Sequence, residues 1–128
     1  MAEGKITGLA HIGIIVRDIA ASIDYYKRLG FSLDKEEITG IKLAFLSAGT
    51  CLIELVEPKE TTPREEGPVG HVAMEVDDII AAVKRANAAG IEVDASKIAT
   101  LGILGGVKNV FFDGPDGEKL EFFEYAKK

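Results

Sequence analysis

The chain has few cysteines and no long apolar run, and each shortage excludes a class of protein. Its one cysteine, Cys51, has no partner for a disulfide within the chain, which favours a reducing, cytoplasmic setting. Because Cys51 stands in an apolar stretch with no neighbouring base, we interpret it as a small buried hydrophobe rather than a nucleophile. No apolar run approaches the roughly 20 residues that cross a bilayer, and residues 1–5 lack the basic-then-apolar order of a signal peptide. We therefore expect no membrane partner.

Basic charge is also scarce. The formal net charge is −6, and the basic residues form no run, since Lys27 with Arg28 and Lys127 with Lys128 are isolated pairs. A protein that binds a phosphate backbone needs a basic surface, so no nucleic-acid partner is expected. Hydrophobic residues make up 47% of 128 residues, which is enough to bury a core and argues against disorder.

The chain is internally repeated. When the start of one half is placed over the start of the other, His11 aligns with His71 and Asp18 with Asp78. The ends of the halves also align, at a slightly larger offset. Such self-similarity indicates two copies of one structural unit. We predict a single domain of residues 1–128, built from repeat 9–57 and repeat 69–125 and joined by linker 58–68.

Both halves show the same order of sequence periodicities. An apolar, β-branched run predicts a strand, a helix capped by Asp18 or Asp78 follows, and three further strand-like runs end the half. Gly30 and Gly90 are placed to end the helices in a left-handed conformation. The predicted strands are 9–16, 32–37, 41–46 and 52–57 in the first half and 69–76, 91–94, 108–112 and 119–125 in the second. The predicted buried helix faces are Ile19, Ile23 and Tyr26, and Ile79, Ile80 and Val83.

The predicted fold is α+β. Two tandem βαβββ modules form a curved eight-stranded mixed sheet with the helices outside, and the concave face is free for a site. The glycine-rich segment 98–106 is either a mobile lid or a loop buried at the sheet edge. Residues 113–117 predict a tight turn between two strands.

The two histidines of the chain, His11 and His71, occupy equivalent positions, and so do Glu54 and Glu121 in the last strand of each half. Neutral imidazole and carboxylate together suit Zn, Ni, Co, Mn or Fe(II). A histidine in an apolar strand is usually a core residue and a glutamate usually faces solvent, but two matched His–Glu pairs argue against coincidence. The sequence therefore predicts one divalent-metal site.

A second pair of equivalent glutamates has a different expected role. Glu57 and Glu124 lie three residues beyond Glu54 and Glu121, so strand alternation places them on the opposite face of the sheet. We interpret Glu57 and Glu124 as solvated carboxylates.

The histidine segment that opens each half and the Gly-Pro-Asp-Gly-x-x-Leu-Glu segment at residues 114–121 resemble the vicinal oxygen chelate superfamily. Its members include glyoxalase I, methylmalonyl-CoA epimerase, fosfomycin-resistance proteins, extradiol dioxygenases and bleomycin-resistance proteins. The resemblance covers about residues 9–125 and implies paired βαβββ modules. It places the metal ligands at His11, Glu54, His71 and Glu121, and two histidines with two glutamates is the ligand pattern of glyoxalase I.

The resemblance implies a metal-dependent lyase or isomerase of the lactoylglutathione lyase type. A divalent metal (Ni, Zn, Co or Mn) would stabilise an enediolate, and Glu121 or Glu54 would move the proton next to the carbonyl. The implied substrate is a small molecule, a 2-oxoaldehyde–thiol adduct or an acyl thioester. The implied assembly is a homodimer, with the metal site either within one chain or across the dimer. Ile15, Leu43 and Pro58 stand where relatives carry residues that select a substrate, so the substrate stays open. Two alternatives also stay open: a methylmalonyl-CoA epimerase-like enzyme, and a non-catalytic protein of the bleomycin-resistance type that sequesters a ligand.

Overall fold

The computed structural model describes residues 3–5, 9–39, 41–60 and 69–126, and they form two modules with the same order of elements. The first module contains β1 (Ile12–Ile15), α1 (Ile19–Leu29), β2 (Ser32–Thr39), β3 (Ile41–Ala48) and β4 (Cys51–Glu57). The second contains β5 (Val72–Glu75), α2 (Ile79–Ala88), β6 (Ala99–Leu101), β7 (Val107–Asp113) and β8 (Lys119–Glu124). The predicted α+β class and the tandem βαβββ modules are confirmed.

Each module has its own mixed sheet, in the orders β1-β4-β3-β2 and β5-β8-β7-β6. The first strand of a module pairs in parallel with the last, and the other pairings are antiparallel. The described strands therefore hydrogen-bond as two four-stranded sheets, not as the single eight-stranded sheet that we predicted. β1 and β5, each four residues long, lie at one edge of their sheets.

The helices begin and end as the sequence indicates. Asp18 and Asp78 cap them by accepting hydrogen bonds from the backbone N–H groups three residues on, both at 3.1 Å. Gly30 follows α1 with φ at 121°, a conformation that favours glycine. Ile80 was predicted to be buried but is 54% exposed, since the inward face of α2 follows the helical spacing of Ile79, Val83 and Ala86.

Buried side chains from both modules form one hydrophobic cluster. The β7–β8 turn of the second module contacts α1 and the residues before it. Tyr26 donates from Oη to Glu118 Oε2 at 2.8 Å, and Arg17 donates from Nε to Asp116 Oδ1 at 2.9 Å. The modules thus pack against each other on the helix side of their sheets.

The predicted strand at residues 91–94 is wrong. Asn87 donates from Nδ2 to the carbonyl oxygen of Val93 at 3.1 Å and accepts on Oδ1 from the Val93 N–H at 2.9 Å. The Asn87 side chain thus takes the place of a neighbouring strand as the partner of both backbone groups of Val93. A 3₁₀ turn at Ala95–Lys97 follows, and the next strand of the module begins at Ala99.

The predictions for the connecting segments agree with the structure only in part. Most of the predicted linker 58–68 lies outside the described residues. In segment 98–106, β6 pairs with β7, and Ile103 and Leu104 are 55% and 67% exposed, so the buried-loop alternative is wrong and a lid stays a prediction. The turn at 113–117 is confirmed by a hydrogen bond from Gly117 N to the carbonyl oxygen of Gly114 at 3.0 Å. No helix within the described ranges is long and apolar enough to cross a membrane.

Candidate metal centre

The repeat gives each histidine the same position relative to its glutamate. His11 comes directly before β1 and His71 directly before β5, while Glu54 lies within β4 and Glu121 within β8. The parallel pairings place Gly13 opposite Glu54 and, in the second module, the corresponding residue opposite Glu121. Each histidine lies two residues before that ladder position and therefore on the same face as the glutamate.

Each His–Glu pair has the spacing of two ligands of one ion. His11 Nε2 lies 3.5 Å from Glu54 Oε1, and His71 Nε2 lies 3.2 Å from Glu121 Oε1. Two ligand atoms at about 2.1 Å from a shared ion are separated by roughly 3.0–3.4 Å for angles between 90° and 109°, so the His71–Glu121 distance lies within this range and the His11–Glu54 distance slightly beyond it. The residues present thus fit a divalent metal, although each pair alone supplies fewer ligands than the three or four usual in protein sites.

A phenylalanine contacts each histidine. Phe45 meets the His11 ring edge-on, with centroids 5.7 Å apart, and Phe111 meets the His71 ring in the same way at 5.5 Å. In the antiparallel ladders these phenylalanines stand directly opposite the two glutamates. The edge-on contact favours one orientation of the imidazole plane. We did not predict these phenylalanines, because their role depends on cross-strand register.

The two carboxylates have different surroundings. The side chain of Glu121 is 5% exposed and that of Glu54 is 22% exposed. Asn109 donates from Nδ2 to Glu121 Oε2 at 2.8 Å, which leaves Oε1 directed toward His71. Asn109 was also not predicted, since no motif surrounds it.

The four predicted ligands do not meet within one protomer. Among the residues that the structure describes, no group of three or more His, Cys, Asp or Glu side chains lies close enough to hold one ion. A groove of about 990 Å³ between the modules has His11, His71 and Glu121 in its lining. The structure thus shows two separate His–Glu pairs, which we call half-sites, and the four-residue metal site stays a prediction.

Glu57 and Glu124 lie outside these half-sites. They point away from the site glutamates, but they are not the solvated carboxylates that we predicted. Glu57 Oε2 accepts a hydrogen bond from the N–H of Ile19 at 3.2 Å, and Glu124 Oε1 accepts one from the N–H of Ile79 at 2.9 Å. Each glutamate therefore binds the first N–H of its helix.

Cys51 is half-buried in β4, and burial raises the pKa of its thiol. A raised pKa keeps the thiol protonated at neutral pH. This agrees with the interpretation of Cys51 as a small hydrophobe.

Comparisons with known proteins identify the family. The model of the Glyoxalase/Bleomycin resistance protein/Dioxygenase superfamily matches residues 8–122. The uncharacterised protein YwbC of Bacillus subtilis (strain 168) is 38% identical over 122 residues, which cover 89% of this chain and 94% of that protein. A glyoxalase family protein from Enterococcus faecalis has a similar structure, with TM-score 0.79 and 25% identity over 92% of this chain and 98% of that one. FosX from Listeria monocytogenes, a fosfomycin resistance protein crystallised with Mn(II) and sulfate, has TM-score 0.71 and 17% identity over 95% of each chain. The chain belongs to the glyoxalase/bleomycin resistance protein/dioxygenase superfamily.

Proposed function

We propose that this protein is a metal-dependent lyase or isomerase of the glyoxalase type, which moves a proton on a carbon next to a carbonyl. The observation that carries the proposal is the pair of equivalent His–Glu units, with nitrogen-to-oxygen distances of 3.5 and 3.2 Å. Together the units offer two imidazole nitrogens and two carboxylates, a donor set suited to Ni, Zn, Co or Mn. Mn(II) in FosX, which has the same fold, supports a divalent ion.

We further propose that the site is completed across a homodimer. His11 and Glu54 would come from one protomer, and His71 and Glu121 from the other. The sheet faces that carry the glutamates also expose large apolar side chains: Ile15 is 68% exposed and Phe111 is 50% exposed. Facing the first module of one protomer with the second module of its partner would cover these side chains and join the half-sites.

The residues of the joined site can carry the proton through the reaction. A bound divalent ion would supply Lewis-acid stabilisation for the negative charge that develops on the substrate oxygens. A glutamate carboxylate, Glu54 or Glu121, takes the proton as the C–H bond breaks, and the electron pair stays on the substrate as an enediolate. The same carboxylic acid then returns the proton to the neighbouring carbon. Phe45 and Phe111 line the site with apolar surface, which helps to exclude water.

A mixing experiment tests whether the site is shared between protomers. His11→Ala and His71→Ala variants are each expected to bind little Ni²⁺ alone. After the two variants are unfolded together and refolded, heterodimers would contain one intact site and one site lacking both histidines. Statistical pairing then predicts about a quarter of the wild-type metal content by elemental analysis. A mixture that binds no more Ni²⁺ than the separate variants would rule out a shared site.

A substrate screen tests the chemistry. The Ni-, Co-, Zn- and Mn-loaded protein is offered methylglyoxal–thiol adducts and methylmalonyl-CoA, and NMR follows the substrate's α-deuterium as it moves to the neighbouring carbon or exchanges with solvent. Movement or loss of the label on an adduct supports the glyoxalase type, whereas reaction of methylmalonyl-CoA alone, seen as label exchange or epimerisation, would favour the epimerase-like alternative. A wild-type protein that takes up none of the four metals would contradict the enzyme proposal.

A further inference from the structure

The repeated site differs between the modules at one position beside the glutamate. In each module a phenylalanine stands opposite the glutamate, Phe45 in β3 and Phe111 in β7. Because side chains alternate along a strand, the residue two positions before each phenylalanine lies on the same face of the sheet as that phenylalanine. That residue is Leu43 in the first module and Asn109 in the second. The repeat therefore preserves histidine, phenylalanine and glutamate but not this neighbour.

Because Asn109 bonds one oxygen of Glu121, the two oxygens of this carboxylate have different partners. Asn109 Nδ2 donates to Oε2 at 2.8 Å, while Oε1 lies 3.2 Å from His71 Nε2. Both partners are buried, with Asn109 9% and Glu121 4% exposed. A hydrogen bond from a buried amide to a carboxylate is charge-assisted, and breaking it would leave both groups without a partner away from water. Glu121 is thus held with a single oxygen presented to the site.

Glu54 does not have this restraint. The equivalent position holds Leu43, whose side chain has no N–H group to donate. The Glu54 side chain is more exposed, at 22% against 5%, and its Oε1 lies farther from its histidine, at 3.5 Å. Beside it, Gly13 has no side chain: a Cβ there would lie 3.8 Å from Glu54 Oε1, in van der Waals contact, so its absence leaves room next to the carboxylate. Glu54 therefore lacks the hydrogen bond that restrains Glu121 and has more room to move.

We propose that Asn109 is a positioning residue that fixes Glu121 as a permanent single-oxygen metal ligand, and that Glu54 is the carboxylate that moves to take the substrate proton. This inference rests on the proposed function and assigns unequal roles to two carboxylates that the repeat makes equivalent. A base must change position between ligand and proton acceptor, and Glu54 can do so without breaking a buried hydrogen bond. The proton goes from the substrate carbon to a Glu54 oxygen and back, so the step is balanced.

Exchanging the residue types at positions 43 and 109 tests the positioning role of Asn109. Asn109→Leu keeps the shape of the side chain and makes the second module like the first, and Leu43→Asn is the matched converse. Isothermal titration of the full-length protein with Co²⁺ is expected to give a Kd weaker by roughly 10- to 100-fold for Asn109→Leu, the usual effect of losing a partner of a metal ligand. Leu43→Asn is expected to stay within about 3-fold of wild type, well below that range. The visible spectrum of the bound Co²⁺ should change in Asn109→Leu, which a purely structural role would not produce.

A second pair of variants tests the assignment of the carboxylates. Glu121→Gln is expected to lose at least roughly 10-fold more Co²⁺ affinity than Glu54→Gln, because the fixed ligand contributes more to binding than one that leaves. If Asn109→Leu does not fold, Asn109→Ala removes the same donor without adding bulk.

Two results would overturn the inference. One is an Asn109→Leu protein with wild-type Co²⁺ affinity and spectrum, and the other is an equal loss of affinity in Glu54→Gln and Glu121→Gln. If the wild-type protein binds no Co²⁺, the proposed function fails together with the inference. If the wild type binds Co²⁺ and the variants do not differ, only the inference fails.

Discussion

Tyr26 and Glu118 form a buried polar contact between the modules. Tyr26 is 1% exposed and Glu118 is 7% exposed, and the tyrosine hydroxyl donates to Glu118 Oε2 at 2.8 Å. Tyr26→Phe would leave that carboxylate oxygen without this donor in a buried place. We expect the free energy of unfolding to fall by about 1–3 kcal/mol, measured by urea unfolding followed by circular dichroism.

The neighbouring tyrosine provides the control. Tyr25 donates to the carbonyl oxygen of Asp113 at 3.2 Å, a bond between neutral groups, so Tyr25→Phe should cost only about 0.5–1.5 kcal/mol. Burial first, and then the charge of Glu118, raise the pKa of Tyr26. A raised pKa in the folded state gives stability that is fully present below the unfolded pKa of about 10 and is lost above it. The advantage of wild type over Tyr26→Phe should therefore shrink as the pH rises beyond about 10, and a constant difference would contradict this contact.

The sequence points to the candidate ligands more readily than to the residues that contact them. His11 and Glu54 can be found because the repeat presents each of them twice, and their residue types carry recognisable chemistry. Asn109 and the two phenylalanines act through cross-strand contacts, and the ladder register that creates these contacts depends on how the whole sheet packs. Once the register is known, comparing Leu43 with Asn109 reveals the difference between the half-sites.

At the scale of elements, each helix begins where a strand glutamate meets its first N–H group. Glu124 Oε1 accepts from the N–H of Ile79 at 2.9 Å, next to the Asp78 cap. Glu124→Ala removes this bond and a negative charge from the positive end of α2, so the free energy of unfolding should fall by about 1 kcal/mol. Thermal and urea unfolding would measure the loss.

Glu92 gives the comparison for this prediction. It is an exposed glutamate of the same module, and Glu92→Ala should change stability by no more than about 0.5 kcal/mol. A loss in Glu124→Ala no larger than that in Glu92→Ala would show that the glutamate does not stabilise the helix start.

The order of elements could be predicted because each depends on local signals. Aspartate caps and glycine ends mark both helices, and alternation marks the long strands β3 and β4. The strand predicted at 91–94 failed because Asn87, which lies in the preceding helix, bonds both backbone groups of Val93. A side chain that competes for backbone groups gives no periodic signal, so the pattern alone could not reveal it.

At the scale of the whole molecule, the two modules share a core on the helix side of their sheets, while the other side is partly exposed. The shared cluster includes Tyr26 and Leu55 from the first module and Ile79 and Phe122 from the second. The faces that carry Glu54 and Glu121 also hold exposed apolar side chains, Ile15 and Phe111. Because the described residues bring no third His, Cys, Asp or Glu to either His–Glu pair, the proposed site draws on a second copy of the chain.

Ile15 tests that arrangement without touching a ligand. It is 68% exposed and lies in β1, two residues beyond the ladder position opposite Glu54. If a second copy covers this face, Ile15→Lys should weaken dimerisation by at least roughly 10-fold in Kd, measured by sedimentation velocity in EDTA so that no metal is involved. Because a lysine at an exposed position destabilises the protomer little, the free energy of unfolding of the Ile15→Lys protomer should change little.

Ile80→Lys is the control, since Ile80 is 54% exposed on α2 and lies away from the sheet faces that carry the glutamates. Equal effects of the two lysines, or a wild-type protein that stays monomeric, would contradict a site shared between protomers.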